Sequence, residues 1–350
     1  MKESVQTYSY MVATRCFTYN QQSFIEDALR GFAMQETTFP VVTLIVDDAS
    51  TDGEPEVIKS FISNYFNSPY RVEESADYQL ICANHKSNPN CIFVVFLLKY
   101  NHFSIKKSKL PYLSEWNDKA KYLAICEGDD SWIKKDKLQK QVEALESHPE
   151  CGMCYTAYRY LYQESGNFKD IFTPNSIIHD GEFMWELLSF QVMIGTATVL
   201  MRSDLYRTIM NSCAEDYKGY LMGDTQTWFH FARISKVYYL PEITMVYRKH
   251  EGSVTALGNP EKKLVFEHSM LSMRMDLANK YGAPKEVIER IKRQISSMLI
   301  TNCLSLKRYD EALSINKEIL SNRYLIAIMI RIAKVLHLRH IPGIGRLINS

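Results

Sequence analysis

Through the first half of the chain, unbroken apolar runs alternate with stripes at helical spacing. Residues from Tyr8 onward open a strand, and Ile25, Ala28, Leu29 and Phe32 then recur on one helix face. Ser23 and Glu26 just ahead of that stripe have the spacing of a capping box. Residues 41–46, 92–98 and 122–126 are continuous apolar runs, as expected of strands covered on both faces. Ile58, Phe61, Ile62 and Tyr65 mark one intervening helix, and Leu138, Val142 and Leu145 another, closed by Pro149. The stretch 67–90 has no clear period and reads as a long excursion. This βαβ rhythm predicts an α/β fold with a mostly parallel sheet flanked by helices.

Beyond Gly152 the pattern loosens. Strands are expected over 152–162, 194–201 and 237–240, with helices over 182–190 and 224–234. From about residue 260 the strand signals stop, and helices are expected over 261–281, 285–305, 309–320 and 323–338. Two domains follow from this change: a catalytic α/β domain over 1–258 and an all-helical C-terminal extension over 259–350.

Composition narrows the class. The 350 residues are 46% hydrophobic and 23% charged, enough to bury a substantial core. A formal net charge of +1 argues against a nucleic-acid binder, which would carry a basic excess. The eight cysteines include one close pair, Cys151 and Cys154. A zinc ribbon needs a second such pair, and a redox pair would sit at a helix start, so this pair reads as structural. The N-terminal segment lacks the apolar core of a signal peptide, and no run is long enough to span a bilayer. A reducing cytoplasm is the expected compartment.

Two acidic pairs, Asp47-Asp48 and Asp129-Asp130, each follow a buried apolar run. Adjacent carboxylates at the mouth of a low-dielectric sheet repel each other. A turn needs one Asp at most to bond its own backbone. Open α/β sheets bind ligands outside the carboxyl ends of their strands, and an all-oxygen donor set suits Mg2+ or Mn2+. From the residues alone, Asp129-Asp130 is either such a cation site or a loop whose second Asp caps the following helix.

Four local signatures, in order, give the chain a family resemblance. They are Thr18-Tyr19-Asn20-Gln21-Gln22; Val46-Asp47-Asp48-Ala49-Ser50-Thr51-Asp52-Gly53; Cys126-Glu127-Gly128-Asp129-Asp130-Ser131-Trp132 with Lys137-Leu138; and Met222-Gly223-Asp224-Thr225-Gln226-Thr227-Trp228 with Tyr247-Arg248-Lys249-His250-Glu251-Gly252-Ser253 downstream. Over residues 8–255 the chain resembles the family 2 glycosyltransferases, inverting nucleotide-sugar enzymes of the GT-A fold. The resemblance implies that Asp48 holds the nucleotide base, with a uridine diphosphate sugar favoured, and places Thr18 and Glu127 on the donor. Asp129 and Asp130 are implied as ligands of a divalent cation, Mg2+ or Mn2+, bridged to the donor diphosphate. Glu127 stands where the family often has Asp.

Asp224 is implied as the catalytic base, preceded here by Gly where many members have Glu. His250 matches a metal or diphosphate contact of some relatives; a lone histidine in such a loop is otherwise more often a surface or packing residue. The Gln-x-x-Arg-Trp motif and membrane helices of processive synthases are lacking, so transfer of single sugars is expected, to a glycan or lipid-linked acceptor in surface polysaccharide or glycan assembly. Two other readings compete. A sugar-nucleotide nucleotidyltransferase would carry a Gly-rich N-terminal loop, whereas residues 12–22 contain no glycine. A catalytically inactive sugar-nucleotide-binding module would not need to keep Asp129, Asp130 and Asp224 together.

The tail adds one more possibility. Between Tyr324 and Leu336 eleven of thirteen residues are apolar, and the last thirty residues carry five Lys and Arg but no acid. Such a segment either lies against anionic lipid, as a peripheral contact of 321–350 on the inner face of the membrane, or packs on the rest of the chain with its basic face in water.

Overall fold

The computed structural model describes residues 7–172, 176–250, 259–320 and 323–349. The chain divides into two compact units: Met1–Asp180 with Ile194–Thr208 and Ser235–Arg248, and Gly181–Met193 with Ile209–Ile234 and Lys249–Ser350.

The first unit begins with β1 (Tyr10–Thr18), α1 (Ile25–Ala33), β2 (Val41–Asp47) and α2 (Glu54–Tyr65). A hairpin of β3 (Arg71–Glu74) and β4 (Tyr78–Asn84) follows, then β5 (Cys91–Leu98), α3 (Leu110–Asn117) and β6 (Ala120–Ile125). Next come β7 (Ser131–Trp132), α4 (Lys137–Ser147), β8 (Cys151–Tyr162), β9 (Asn167–Ile171) and β10 (Ile178–His179). Helix α5 (Phe183–Leu188) belongs to the second unit. The first unit resumes with β11 (Leu200–Arg202) and the start of α6 (Ser203–Ser212). Helix α7 (Asp224–Ile234) is again in the second unit, and β12 (Lys236–Lys249) completes the sheet. The second unit continues as α8 (Pro260–Lys280), α9 (Lys285–Ser305), α10 (Tyr309–Glu318), α11 (Tyr324–Val335) and α12 (Ile344–Asn349).

The strand order is β10-β12-β8-β11-β6-β1-β2-β5-β4-β3, with β7 on β12 and β9 on β8. The centre, β6-β1-β2-β5, is parallel. The β4–β5 and β6–β11 pairs beside it are antiparallel. Every residue of β2 is buried, which explains why its sequence, Thr43 and the terminal Asp47 apart, is apolar rather than alternating. The register sets Thr18 opposite Asp47, Asp47 opposite Leu97 and Arg15 opposite Ile125. The carboxyl ends of β1, β2, β5 and β6 therefore share one edge, and the acidic loops leave from it.

The structure departs from the sequence expectation in several places. The 67–90 excursion is an antiparallel hairpin extending the sheet; three of the four residues of its outer strand are exposed, so no apolar period marks it. Strand 194–201 shrinks to Leu200–Arg202 behind a 3-10 turn at Thr196–Thr198, where the Thr198 hydroxyl bonds the Gly195 carbonyl at 2.6 Å. The capping box does not form. The N–H groups of Phe24 and Ile25 both donate to the Gln21 carbonyl, no side chain caps α1, and Glu26 pairs with Arg30 instead. Contacts also divide the chain differently from a single cut after residue 258. Trp185 and Leu188 of α5 and Phe229 of α7 are buried with the core of the C-terminal helices. Cys151 and Cys154 are buried thiols of β8, and burial pushes Cys154 up to about 12, as befits packing residues. Among the described residues no helix is long and apolar enough to cross a membrane.

One close approach is diagnostic. A Cβ at Gly31 would lie 2.8 Å from both the N and the O of Trp132, so α1 can rest on β7 only through glycine. Gly31→Ala should cost about 1–3 kcal/mol, the range for overpacking, read as a lower midpoint in urea denaturation; an unchanged midpoint would refute the contact.

Candidate active site

The loop after β6 is built around buried polar contacts. Glu127 and Asp129 are half-buried and Asp130 is 4% exposed. The Asp130 N–H closes a turn on the Glu127 carbonyl at 3.2 Å, and its Oδ1 accepts the Arg248 N–H at 3.0 Å. Burial pushes the Asp130 carboxyl well above the usual range, and the charges of Glu127 and Asp129 push it further, against the opposing N–H and charge of Arg248. A carboxyl placed among two other acids in a buried loop favours its charged form only when positive charge arrives.

Arg248, near the end of β12, backs this loop. Its Nε donates to the Asp129 carbonyl at 3.1 Å, Nη1 to Gln163 at 2.6 Å and Nη2 to Asp27 of α1 at 2.7 Å. Trp132 is fixed by Nε1 donating to the Ala197 carbonyl at 2.9 Å. Below it lies Lys137, fully buried, its ammonium 4.4 Å from the indole centroid and 2.7 Å from Gln141 Oε1. Burial lowers that lysine to about 7. The amide of Gln141 in turn donates to the carbonyls of Cys154 and Thr198.

The loops after β1 and β2 meet the acidic loop from the other side. Thr18 is buried, its hydroxyl within bonding reach of Gln21 Oε1 at 2.8 Å and of Glu54, while its carbonyl accepts the Asp48 N–H. Glu54 also takes the Gln21 N–H and the Ser50 hydroxyl. A Cβ at Gly128 would overlap Thr18 Oγ1 and lie 2.6 Å from Gln21 Oε1, so only glycine lets the two loops touch.

Asp48 has a different setting from Asp130. Its Oδ1 takes the His102 N–H at 2.7 Å, and its Oδ2 takes the Phe103 N–H at 3.1 Å and the Lys109 ammonium at 2.7 Å. Burial works against its charge, but Lys109 and the two N–H groups outweigh it and hold the carboxyl below its usual value. Asp47 is raised by burial; Ser50 bonds its Oδ2, while Oδ1 has no hydrogen-bond partner among the described residues.

Thr18, Asp48, Glu127, Asp129 and Asp130 thus come from adjacent loops at one sheet edge of the first unit. Asp224 is exposed on the first turn of α7 in the second unit, its Oδ1 accepting the Thr225 N–H at 2.7 Å. His250, half-buried, follows β12 and also belongs to the second unit. Glu251, Gly252 and Ser253 of the fourth signature lie outside the described residues.

Among the described residues, the group of three or more potential metal ligands lying within 4.8 Å of one another is Cys213, Asp216 and His230, not Asp129, Asp130 and His250. All three are buried, but Asp216 already holds Lys280 at 2.5 Å and the Tyr281 hydroxyl at 2.7 Å. Burial opposes its charge, and these partners override it to keep the carboxyl low. With that ammonium in place and Arg233 beside the Cys213 sulfur, the cluster is a strut joining α7 to the end of α8 rather than a cation site.

The comparisons agree with this architecture. S. aureus TarS 1-349 in complex with UDP-GlcNAc superposes with a TM-score of 0.51 at 13% identity, over 97% of this chain and 88% of that one. The mannosyltransferase PcManGT from Pyrobaculum calidifontis, in complex with GDP-Man and Mn2+, gives 0.52 at 15% identity, over 98% and 84%. The chain has the GT-A glycosyltransferase fold. Among sequence relatives, the uncharacterised protein Rv1520 of Mycobacterium tuberculosis is 26% identical over 283 residues, 78% of this chain and 70% of that protein. The putative teichuronic acid biosynthesis glycosyltransferase TuaG of Bacillus subtilis is 22% identical over 254 residues, 64% of this chain and 88% of that protein. No family model matches the chain.

Arg248, Lys109, Lys137 and Gln141 escaped sequence reasoning as partners, because nothing local says what a lone basic or amide residue will meet. Asp48 gives a pH-dependent check. A carboxyl held low in the folded state contributes stability above its unfolded pKa of about 4, and that contribution is lost as pH falls through the lower folded value. Asp48→Asn should therefore cost roughly 1.5–3 kcal/mol at pH 7, the range for hydrogen bonds to a charged group, with the gap to wild type narrowing below about pH 4. Urea midpoints at the two pH values test it; a gap that does not narrow would exclude the ionised pair.

Proposed function

We propose that this chain transfers a single sugar, with inversion, from a nucleoside diphosphate sugar to an acceptor hydroxyl, as a family 2 type glycosyltransferase. The observation carrying this reading is the loop Glu127–Asp130 at the carboxyl edge of a GT-A sheet, with the Asp130 carboxyl raised by burial and further by Glu127 and Asp129. Asp129 and Asp130 would hold a divalent cation; the donors they offer are carboxylate oxygens, which suit Mg2+ or Mn2+. Such a cation, when bound, neutralises charge on the departing diphosphate. PcManGT, of like fold, is described with Mn2+, which supports this cofactor class.

The chain's own residues supply the rest. Arg248 fixes the orientation of Asp130 and of the Asp129 backbone. Gly128 and Thr18 bring the β1 loop against the acidic loop, and Glu127, half-buried beside them, faces the donor's side of the reaction in this reading. Asp48 holds the 101–109 loop and, once Lys109 moves off Oδ2, has an acceptor for an imide N–H of a uracil ring. Asp224 takes the proton of the acceptor hydroxyl as it attacks, and a single base with one displacement inverts the anomeric centre. His250 contributes a diphosphate or cation contact. The TuaG similarity supports an acceptor in surface polysaccharide assembly, and TarS, a fold neighbour described with UDP-GlcNAc, supports a uridine diphosphate donor.

A panel of nucleotide sugars with Mn2+, read by thermal shift and then by transfer of labelled sugar, tests the reading; no stabilisation by any member would sink it. Asp224→Asn should keep donor binding and lose roughly a hundredfold or more in turnover. Asp130→Ala should weaken donor binding only when the cation is present, measured by calorimetry with and without Mn2+. Equal affinities in both conditions would move the cation elsewhere.

A further inference from the structure

Helix α11 has two apolar faces, and the helical core uses one. Ile326, Ala327, Ile330 and Ala333 are buried, in one cluster with Ile315, Ile344 and Ile348. The opposite side carries Tyr324, Leu325, Ile332, Val335 and Leu336 at 73%, 61%, 49%, 77% and 60% exposure. Positions 325, 328, 332 and 335–336 recur at helical spacing, so these side chains form one continuous stripe. Scattered exposed apolar residues are ordinary, whereas a stripe of this kind marks a contact surface.

The charge around the stripe indicates what it contacts. Residues 323–349 contain no Asp or Glu. Lys334 is offset by Asp310 at 2.6 Å, and Arg323 turns inward to the carbonyls of Leu347 and Ile348. Arg331, which helical spacing sets next to the stripe, and Arg339, in the segment that follows the helix, are both exposed. An apolar face bordered by guanidinium groups matches the interface of an anionic bilayer, where the apolar side chains enter the acyl boundary and the cations meet phosphates. A second copy of the chain would match the apolar stripe but would set like charges against each other.

We propose that α11 docks the chain peripherally on an anionic lipid surface. The inference goes beyond the glycosyltransferase reading and stands without it. Deleting 321–350 would not test it cleanly, because Ile326, Ile330, Ile344 and Ile348 would leave the core with it. Residues 321, 322 and 350 lie outside the described residues and carry none of the argument.

The test uses the full chain with phosphatidylcholine vesicles, with and without phosphatidylglycerol, in a flotation assay at low salt. Wild type should float only with the anionic vesicles, and recovery should fall as salt is added. The pair Val335→Glu and Leu336→Glu should abolish flotation. The pair Arg331→Ala and Arg339→Ala should lower partitioning roughly tenfold or more. These positions are exposed, so circular dichroism, thermal melting and donor binding should stay at wild-type values, which separates loss of docking from loss of the active site. Absence of wild-type flotation with anionic vesicles overturns the proposal, as does recovery indifferent to salt and to both pairs. A wild-type dimer that the glutamate pair turns into monomer, without vesicle capture, would assign the stripe to a second copy instead. If the glutamate pair fails to fold, the salt and lipid dependence of wild type alone decides.

Discussion

Arg248 is the residue on which the acidic loop depends. Its backbone N–H meets the Asp130 carboxyl, its Nε meets the Asp129 carbonyl, and its guanidinium reaches Gln163 and Asp27. These contacts are not equal in weight. The Asp27 side chain is 56% exposed, so that ion pair contributes about 0–1 kcal/mol. The N–H bond to Asp130 is buried and the guanidinium bonds to the Asp129 carbonyl and Gln163 are partly so, and a hydrogen bond to a charged group contributes roughly 1.5–3 kcal/mol. The guanidinium thus acts mainly as a rigid spacer between α1, the turn that follows β8 and the loop. Shifting β12 by one residue would turn this side chain to the other face of its strand, which makes the register of β12 part of the site.

Much of the fold was legible because parallel central strands leave a plain mark. β2, β5 and β6 are apolar apart from Thr43, Asp47 and Lys121 since both faces are covered, and helix α7 falls on the residues expected for it. Elements whose residues face solvent or turn abruptly left no such mark. The hairpin of β3 and β4, α3 and α12 were invisible to periodicity, and the strand expected over 194–201 forms only at Leu200–Arg202. The membership of α5 and α7 in the helical unit could not be read either, because Trp185 and Phe229 look like any other core aromatics until their partners are known. The capping box failed for a related reason: a turn closed on the Gln21 carbonyl by the Phe24 and Ile25 N–H groups makes Phe24, not Ser23, the residue at the helix N-cap.

In the site, the acids themselves stood out, and their partners did not. Asp-Asp after an apolar run is visible in one line of sequence. Lys109 lies sixty-one positions from Asp48 and Arg248 one hundred and eighteen from Asp130, and only the strand order brings them close. The tail was ambiguous for the opposite reason. Packing against the core and docking on lipid were set against each other as exclusive uses of one helix, whereas α11 has apolar residues enough for a buried face and an exposed one.

The same dipeptide ends up in two electrostatic states, and that difference bears on where a cation belongs. At Asp48 the protein supplies an ammonium and two N–H groups, and the carboxyl is held low; its negative charge is already balanced. Asp216 in the helical unit is the same case, with Lys280 and Tyr281. At Asp130 the protein supplies one N–H and places two further acids nearby, so the carboxyl is driven up and negative charge remains to be matched whenever the loop ionises. A divalent ion gains little at the first two carboxylates, since it would have to displace a lysine from each. At the third the opposing groups among the described residues are the Arg248 N–H and the charge of its guanidinium, which is itself turned to the Asp129 carbonyl, Gln163 and Asp27. Local sequence made Asp47-Asp48 and Asp129-Asp130 look alike; the partners brought beside each pair hold Asp48 low and drive Asp130 up, which is why the cation proposed for this chain is assigned to the second pair.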